Sequence, residues 1–299
     1  MPETVTQCPL CASGRSLPFD RSEFHGRLVE NRLCRDCGLV FQSPRMTEAE
    51  SAAFYADEYR LFQEGSADPT ARNVNAQKRR AGTLHDFVRA TIPSIARHLD
   101  IGCSLGILLQ HFQTEYRNQA VGVEPGEAHR VQARKDGLAV YSSLGELEQA
   151  GEARFGLVSM SHVLEHLPDP VGYLTHLREC VLTPDGWLLL EVPNLYAHDS
   201  FEVAHLLAFS PHTLREALRR SGFTVVKFEQ HGRPNSQILP LYLTALCCPA
   251  PQPDASTTLS ASLSPVRPER WVALKRRIGM FWRCILARLF PQRAWLVQG

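Results

Sequence analysis

The stretch Leu99-Asp100-Ile101-Gly102-Cys103-Ser104-Leu105-Gly106 decides the fold. An apolar run carrying an aspartate enters a glycine-punctuated turn, and helix-period residues follow at once. Glycine lets a backbone take positive φ and approach a ligand closely. A helix starting there offers unpaired amides to whatever sits above it. The spacing is G-x-x-x-G, not the G-x-G-x-x-G of dinucleotide binders. The next apolar run closes on Val123-Glu124-Pro125, where a carboxylate can accept both hydroxyls of a ribose.

Working outward, strand-like runs occupy 95–101, 120–124, 138–141, 155–161, 187–192, 223–229 and 237–246, with helix-length segments between most of them. Alternation of this kind predicts an α/β, Rossmann-like core over 93–248 with seven strands, mostly parallel. The last two runs are joined only by 231–236. A parallel return needs a crossover of about a dozen residues, so the last strand is expected to be antiparallel. Residues 46–92 read as a helical connecting segment. It opens with a capping box at Thr47 and Glu50 and carries an aromatic cluster at Phe54, Tyr55, Tyr59 and Phe62. Residues 1–45 form a small cysteine-bearing module. Residues 249–267 read as a flexible Pro/Ser/Ala linker, and 268–299 as a helical tail ended or interrupted at Pro291.

The turn and its surroundings resemble class I S-adenosylmethionine-dependent methyltransferases, whose first motif runs roughly D-x-G-x-G-x-G. Ser104 stands where the middle glycine usually lies. The segments 155–167, 182–194 and 205–211 resemble that family's fourth strand, fifth strand and the approach to its sixth, in the family's order. The resemblance covers about 93–248. It implies S-adenosylmethionine held by Asp100, Gly102, Cys103, Ser104, Gly106, Glu124, Pro125 and Ser161. It further implies methyl transfer to an oxygen or nitrogen, less readily a carbon, of a sugar, glycan or small metabolite. The alternative from another class is a non-catalytic adaptor that binds S-adenosylmethionine inside a biosynthetic complex.

Methyl transfer asks for an aligned acceptor and often a base. His162, His166 and His205 fall where the family's substrate pocket opens, and histidine suits proton transfer near neutral pH. Their plainer role is to brace a loop. His162-Val163-Leu164-Glu165-His166 spells H-x-x-E-H, but that metalloprotease pattern needs a helix, and this segment begins at a strand end. It also resembles an E-x-x-E-H position at which some ubiquinone-biosynthesis O-methyltransferases place a divalent metal, with His162 replacing the first glutamate. Deoxysugar C-methyltransferases offer a second resemblance, through an N-terminal zinc module, a tyrosine matched by Tyr59, and histidines matched by His166 and His205. The glutamate preceding that last histidine is Ala204 here, and the chain has no matching C-terminal domain. Both departures argue against ketosugar C-methylation.

Cys8-Pro-Leu-Cys11 and Cys34-Arg-Asp-Cys37 make two CxxC pairs. Four thiolates suit tetrahedral Zn²⁺ and leave no open position, so a structural zinc ion is expected. The other five cysteines are scattered, which is no disulfide framework. With no signal peptide at the N-terminus, the cytoplasm is the expected compartment.

The chain carries a net charge of +1, so no global field points to nucleic acid. From Pro249 to Gly299, eight basic residues face two acidic ones. Trp271, Leu274, Ile278, Phe281, Trp282, Ile285 and Leu289 recur at helical spacing among Lys275, Arg276, Arg277, Arg283 and Arg288. Such a helix suits a membrane surface, a partner enzyme, or packing against its own domain. A peripheral place on the inner membrane face is the corresponding expectation.

Overall fold

The computed structural model describes residues 2–54, 70–199, 201–251 and 266–296. The N-terminal module is a hairpin, β1 (Ser16–Phe24) and β2 (Arg27–Cys34), followed by β3 (Val40–Gln42). His25 and Gly26 turn the hairpin at positive φ. The capping box at Thr47 and Glu50 opens a short helix, α1 (Glu48–Ala53). Tyr55, Tyr59 and Phe62 lie outside the described residues. A second helix, α2 (Ala71–Val88), is capped by Thr70 and buries Ala81, Leu84, Phe87 and Val88.

The core then alternates as the sequence predicts: β4 (Arg97–Ile101), α3 (Ile107–Tyr116), β5 (Gln119–Val123), α4 (Glu127–Lys135), β6 (Ala139–Tyr141), α5 (Leu144–Gln149), β7 (Phe155–Ser161), α6 (Pro170–His176) and β8 (Leu182–Pro193). A two-residue strand β9 (Leu207–Ala208), α7 (Pro211–Arg220), β10 (Phe223–His231) and β11 (Tyr242–Pro249) complete it. The seven-stranded sheet has the order β10-β11-β8-β7-β4-β5-β6. Strand β11 runs antiparallel to both neighbours, β10 and β8. Leu99, Val121, Val158, Leu188 and Leu190 are fully buried in it, each contributing roughly 1.5–3 kcal/mol.

The structure corrects two readings. The last strand begins at Tyr242, not at residue 237. Ile238, Leu239 and Leu241 are apolar because they pack with Leu286, Ala287 and Ala294 of the C-terminal helices, not because they extend. Nor does the small sheet belong to residues 1–45 alone. Its order is β1-β2-β3-β9, so the core donates its fourth strand. Cys8, Leu10, Cys34, Cys37, Leu39 and Phe41 share one hydrophobic cluster with the sheet of the core.

The tail forms α8 (Val272–Leu289), and Pro291 opens a separate turn, α9 (Pro291–Ala294). Glu269 anchors its start, accepting from Tyr196 Oη at 2.6 Å and from Ser210 Oγ. Among the described residues no helix is long and apolar enough to cross a membrane.

Candidate functional site

The chain runs from β4 out to β5 and β6, then returns to place β7 on the other side of β4. The crevice beyond the carboxyl ends of β4 and β7 is therefore the topological switch point, where open α/β sheets take their ligands. Gly102, just after β4, meets Val163, just after β7, so closely that a Cβ on Gly102 would lie 2.5 Å from Val163 Cγ2. The glycine-rich turn lies on one side of this contact and the histidine cluster on the other.

Gly102, Ser104 and Gly106 all have positive φ, at 75°, 51° and 72°. Gly106 is the N-cap of α3. A non-glycine residue in the left-handed region costs roughly 1–2 kcal/mol, and Ser104 has compensation. Its amide donates to Glu124 Oε2 at 2.8 Å, its Oγ lies 2.8 Å from His129 Nδ1, and Gln77 Nε2 on α2 donates to that Oγ at 3.1 Å. Glu124 ends the β5 run with Oε1 accepting from the Gly126 amide at 2.8 Å. Arg130 braces the carbonyls of Glu124 and Pro125, both at 2.8 Å. Cys103 turns its side chain into the core, against Gly122, Leu109 and Val140.

Asp100 is buried on β4 and accepts from Ser159 Oγ at 2.6 Å, while His98 Nε2 lies 2.8 Å from that hydroxyl. Burial pushes the Asp100 carboxyl up to about 7; Ser159 opposes the rise and the nearby Glu124 charge adds to it. Burial alone holds His98 down to about 3, so it is neutral.

Across the crevice, Ser161 ends β7 with its Oγ 3.4 Å from Glu191 Oε1. His162 follows with positive φ, 56°, a conformation that such sites store at a cost. Its Nδ1 lies 3.3 Å from Glu165 and its Nε2 lies 2.5 Å from Arg80 Nη1. Burial and Arg80 oppose protonation of His162; bonds to Glu165 and Glu191 outweigh them and raise its pKa. Arg80, reaching in from α2, pairs with the buried Glu191 and stacks over Tyr242 at 4.8 Å. Glu191 also accepts from Thr244 Oγ1 at 3.0 Å, and despite burial its neighbours Arg80, His162 and His231 keep it ionised.

His166 and His205 come from different segments and lie with ring centroids 4.8 Å apart. His166 Nδ1 is 2.8 Å from the Ala204 carbonyl. A carbonyl only accepts, so Nδ1 carries the proton and Nε2 the lone pair. Burial lowers its pKa to about 4, opposed by Glu165 and assisted by His205. Glu165 resists burial through His162, His166 and His205, and falls to about 2. Glu202 Oε2 lies 3.9 Å from His205 Nε2. The N-terminal module fixes this loop, because the Gln42 amide donates to the Leu206 carbonyl at 2.8 Å and Gln42 Nε2 to that of Glu202 at 3.4 Å. A narrow cleft beside it is lined by Pro193, His198, Phe201, His205, Leu207 and Arg276. Of the expected catalytic residues, Tyr59 lies outside the described residues; His162, His166 and His205 converge.

The sequence reading missed Arg80, Glu191, His198, Glu202 and Tyr242 as members of this site. Glu191 alone carried a signal, a lone carboxylate within the apolar run 187–192. The others depend on which loops the fold brings together.

Among the described residues, two sets of side chains fit a metal. The sulfurs of Cys8, Cys11, Cys34 and Cys37 all lie within 4.8 Å of one another, with Cys8–Cys37 and Cys11–Cys34 at 3.5 Å. Tetrahedral zinc with bonds of about 2.3 Å needs sulfurs about 3.8 Å apart, so the donor set fits. Glu165, His166 and His205 also present ligand atoms within 4.8 Å of one another, a looser set open to a divalent cation.

Residues 72–227, just over half of the chain, match the family model described as "Methyltransferase domain". A ubiquinone biosynthesis O-methyltransferase of Cereibacter sphaeroides is 33% identical over 105 residues, 33% of this chain and 41% of that protein. The chain thus matches well under half the length of this curated relative. The 1,6-didemethyltoxoflavin-N1-methyltransferase of Burkholderia thailandensis, solved with 1,6-didemethyltoxoflavin and S-adenosylhomocysteine, superposes with a TM-score of 0.54 at 21% identity. That match covers 78% of this chain and 100% of the other. A SAM-dependent methyltransferase of Leishmania major gives 0.50 at 19% identity, covering 66% and 82%. These structural likenesses establish the fold.

Proposed function

The chain belongs to the methyltransferase-domain family, and from that premise we propose that it transfers a methyl group from S-adenosylmethionine to an oxygen or nitrogen of a small acceptor. Sugar and glycan derivatives are among the acceptors expected. The observation that carries the reading is the switch-point crevice, with Gly102, Ser104, Gly106 and Glu124 on one side and His166 and His205 on the other.

The turn fits the cofactor. Positive φ at Gly102, Ser104 and Gly106 carries the turn into the N-terminus of α3, whose first amides have no partner within the helix. The Ser104 and Gly126 amides hold the Glu124 carboxylate beside the turn, at the end of the β5 run. Glu124 would hold the ribose hydroxyls, the Gly102–Gly106 turn the amino-acid end, and Asp100 and Ser161 the floor. The chemistry this cofactor supplies is an electrophilic methyl carbon on a sulfonium, which leaves as a neutral thioether and needs no acid.

The chain's own residues then position the acceptor and take its proton. His166 Nε2 would take the proton that the acceptor oxygen or nitrogen gives up on methylation. Glu165 beside it stabilises the resulting imidazolium, and the Ala204 carbonyl fixes the ring. His205, paired with Glu202, orients the acceptor or shares the proton. The O-methyl reading has added support from the ubiquinone-biosynthesis relatives.

The four cysteines would hold a structural zinc ion, tying β1–β3 to β9 and so to the His205 loop.

The test is release of S-adenosylhomocysteine across a panel of phenolic, sugar and amine acceptors. Turnover that falls about 10²–10⁴-fold in His166→Ala, with cofactor affinity unchanged, supports the reading. Cofactor binding with no turnover on any acceptor class would favour a binding adaptor instead.

A further inference from the structure

The tail helix α8 has two unlike faces. The inward one packs on the core: Val272 is buried, Arg276 donates to the carbonyls of Leu195 and His198 and stacks over Phe201 at 4.3 Å, and Arg283 stands 3.7 Å from Asp199. Gly279 lies against the Tyr196 backbone with no room for a Cβ. This face explains why the helix is ordered on the protein. It does not explain the other.

The outward face gathers Leu274, Ile278, Phe281, Trp282, Ile285 and Leu289. At about 3.6 residues per turn these fall within an arc of about 100°. Phe281 is 62% exposed and Leu289 66%. Trp271, Phe290 and Trp295 add exposed aromatic surface at the two ends. On the same wheel Arg277 and Arg288 border one edge of the arc, and Lys275, also paired to Glu269, borders the other. From Arg270 to Gly299 the sequence has seven cations and no acidic residue.

A contiguous apolar stripe of this size marks a docking surface. The cations along both edges choose its occupant, for they complement a sheet of negative charge lying flush with the apolar arc. Tryptophan suits the boundary between headgroups and acyl chains, with an apolar body and a polar N–H. We infer that α8 docks the protein on the surface of an anionic lipid bilayer, lying in the interface with Leu274, Ile278, Phe281, Trp282 and Leu289 toward the acyl chains.

The same helix borders the narrow cleft beside the His205 loop, because Arg276 of its inward face lines that cleft with His198 and His205. Lipid and cleft then lie about one helix diameter, about 10 Å, apart. Resting on the methyltransferase reading, this assigns the acceptor to the amphiphiles, with an apolar tail held in the bilayer and a polar head reaching His166 and His205.

The experiment is sedimentation of the full chain with vesicles of phosphatidylcholine containing phosphatidylglycerol, against phosphatidylcholine alone, read with tryptophan emission. Three of the four tryptophans lie in the tail, so emission reports the contact directly. The expected result is at least ten-fold more protein on anionic vesicles, a blue shift, and release by salt. Phe281→Ser/Trp282→Ser and Arg277→Gln/Arg288→Gln should each cut binding about ten-fold or more, with circular dichroism and S-adenosylmethionine affinity unchanged. Binding no greater than to phosphatidylcholine, or binding retained by both variants, would overturn the inference. So would a dimer in light scattering that Phe281→Ser/Trp282→Ser dissociates while vesicles remain unbound. None of these readings depends on methyl transfer.

Discussion

Gly102 and Val163 meet across the switch point so closely that a Cβ on the glycine would sit 2.5 Å from Val163 Cγ2. That contact joins the ends of β4 and β7, and so joins the cofactor turn to the histidine cluster. Gly102→Ala adds overpacking to positive-φ strain and should cost about 2–4 kcal/mol in urea unfolding. Gly137 has a similar φ, 88°, but open space around it, so Gly137→Ala should cost only about 1 kcal/mol. Equal losses would show that the Gly102–Val163 contact carries no special weight.

Ser104 occupies a glycine conformation by holding itself there. Ser104→Ala keeps the strain and loses the bonds to His129 and Gln77, so it should destabilise by about 1–2 kcal/mol. Ser104→Gly loses the same bonds and relieves the strain, and should lie closer to the parent. Thermal denaturation of the pair reads the difference; an alanine variant as stable as the glycine variant contradicts this account.

Asp100 gives a pH signature. Its carboxyl is raised by burial from 3.8 to about 7, so the folded state binds a proton that the unfolded state has lost. The contribution is full below about pH 4 and disappears as pH rises through about 7. Asp100→Asn removes that dependence. Relative to the parent, the variant should gain stability steadily between about pH 4 and 7, measured by denaturant unfolding at each pH. A constant offset would mean that Asp100 ionises normally in its site.

The cysteine cluster predicts one zinc per chain by elemental analysis, lost in Cys37→Ser. The consequence should reach the active site, because β3 pairs with β9 and clamps the loop carrying His205. Chelation should therefore lower turnover as well as the melting temperature. Full activity in metal-free protein would separate module from catalysis.

The core was legible because its strands are apolar runs bounded by glycine and proline, and because one tight turn carries the strand-to-helix change. The antiparallel last strand followed from a short connection. The apolar stretch before Tyr242 misled because it packs on a helix from far along the chain, and apolar character does not say against what. The site divided in the same way. Asp100, Glu124 and His166 sit in local patterns. Arg80 and Glu202 take part only because α2 lies over the crevice and β9 joins the N-terminal sheet, pairings that no local pattern encodes.

The central claim is that the turn after β4 binds S-adenosylmethionine with Glu124 as its carboxylate partner. Calorimetric titration of the zinc-loaded chain, repeated on Glu124→Gln with folding checked by circular dichroism, tests it most directly. The account predicts binding of one cofactor per chain, in the micromolar range or tighter, weakened about 10–100-fold in the folded variant. Absence of binding by the folded parent, or binding undiminished in Glu124→Gln, would contradict it.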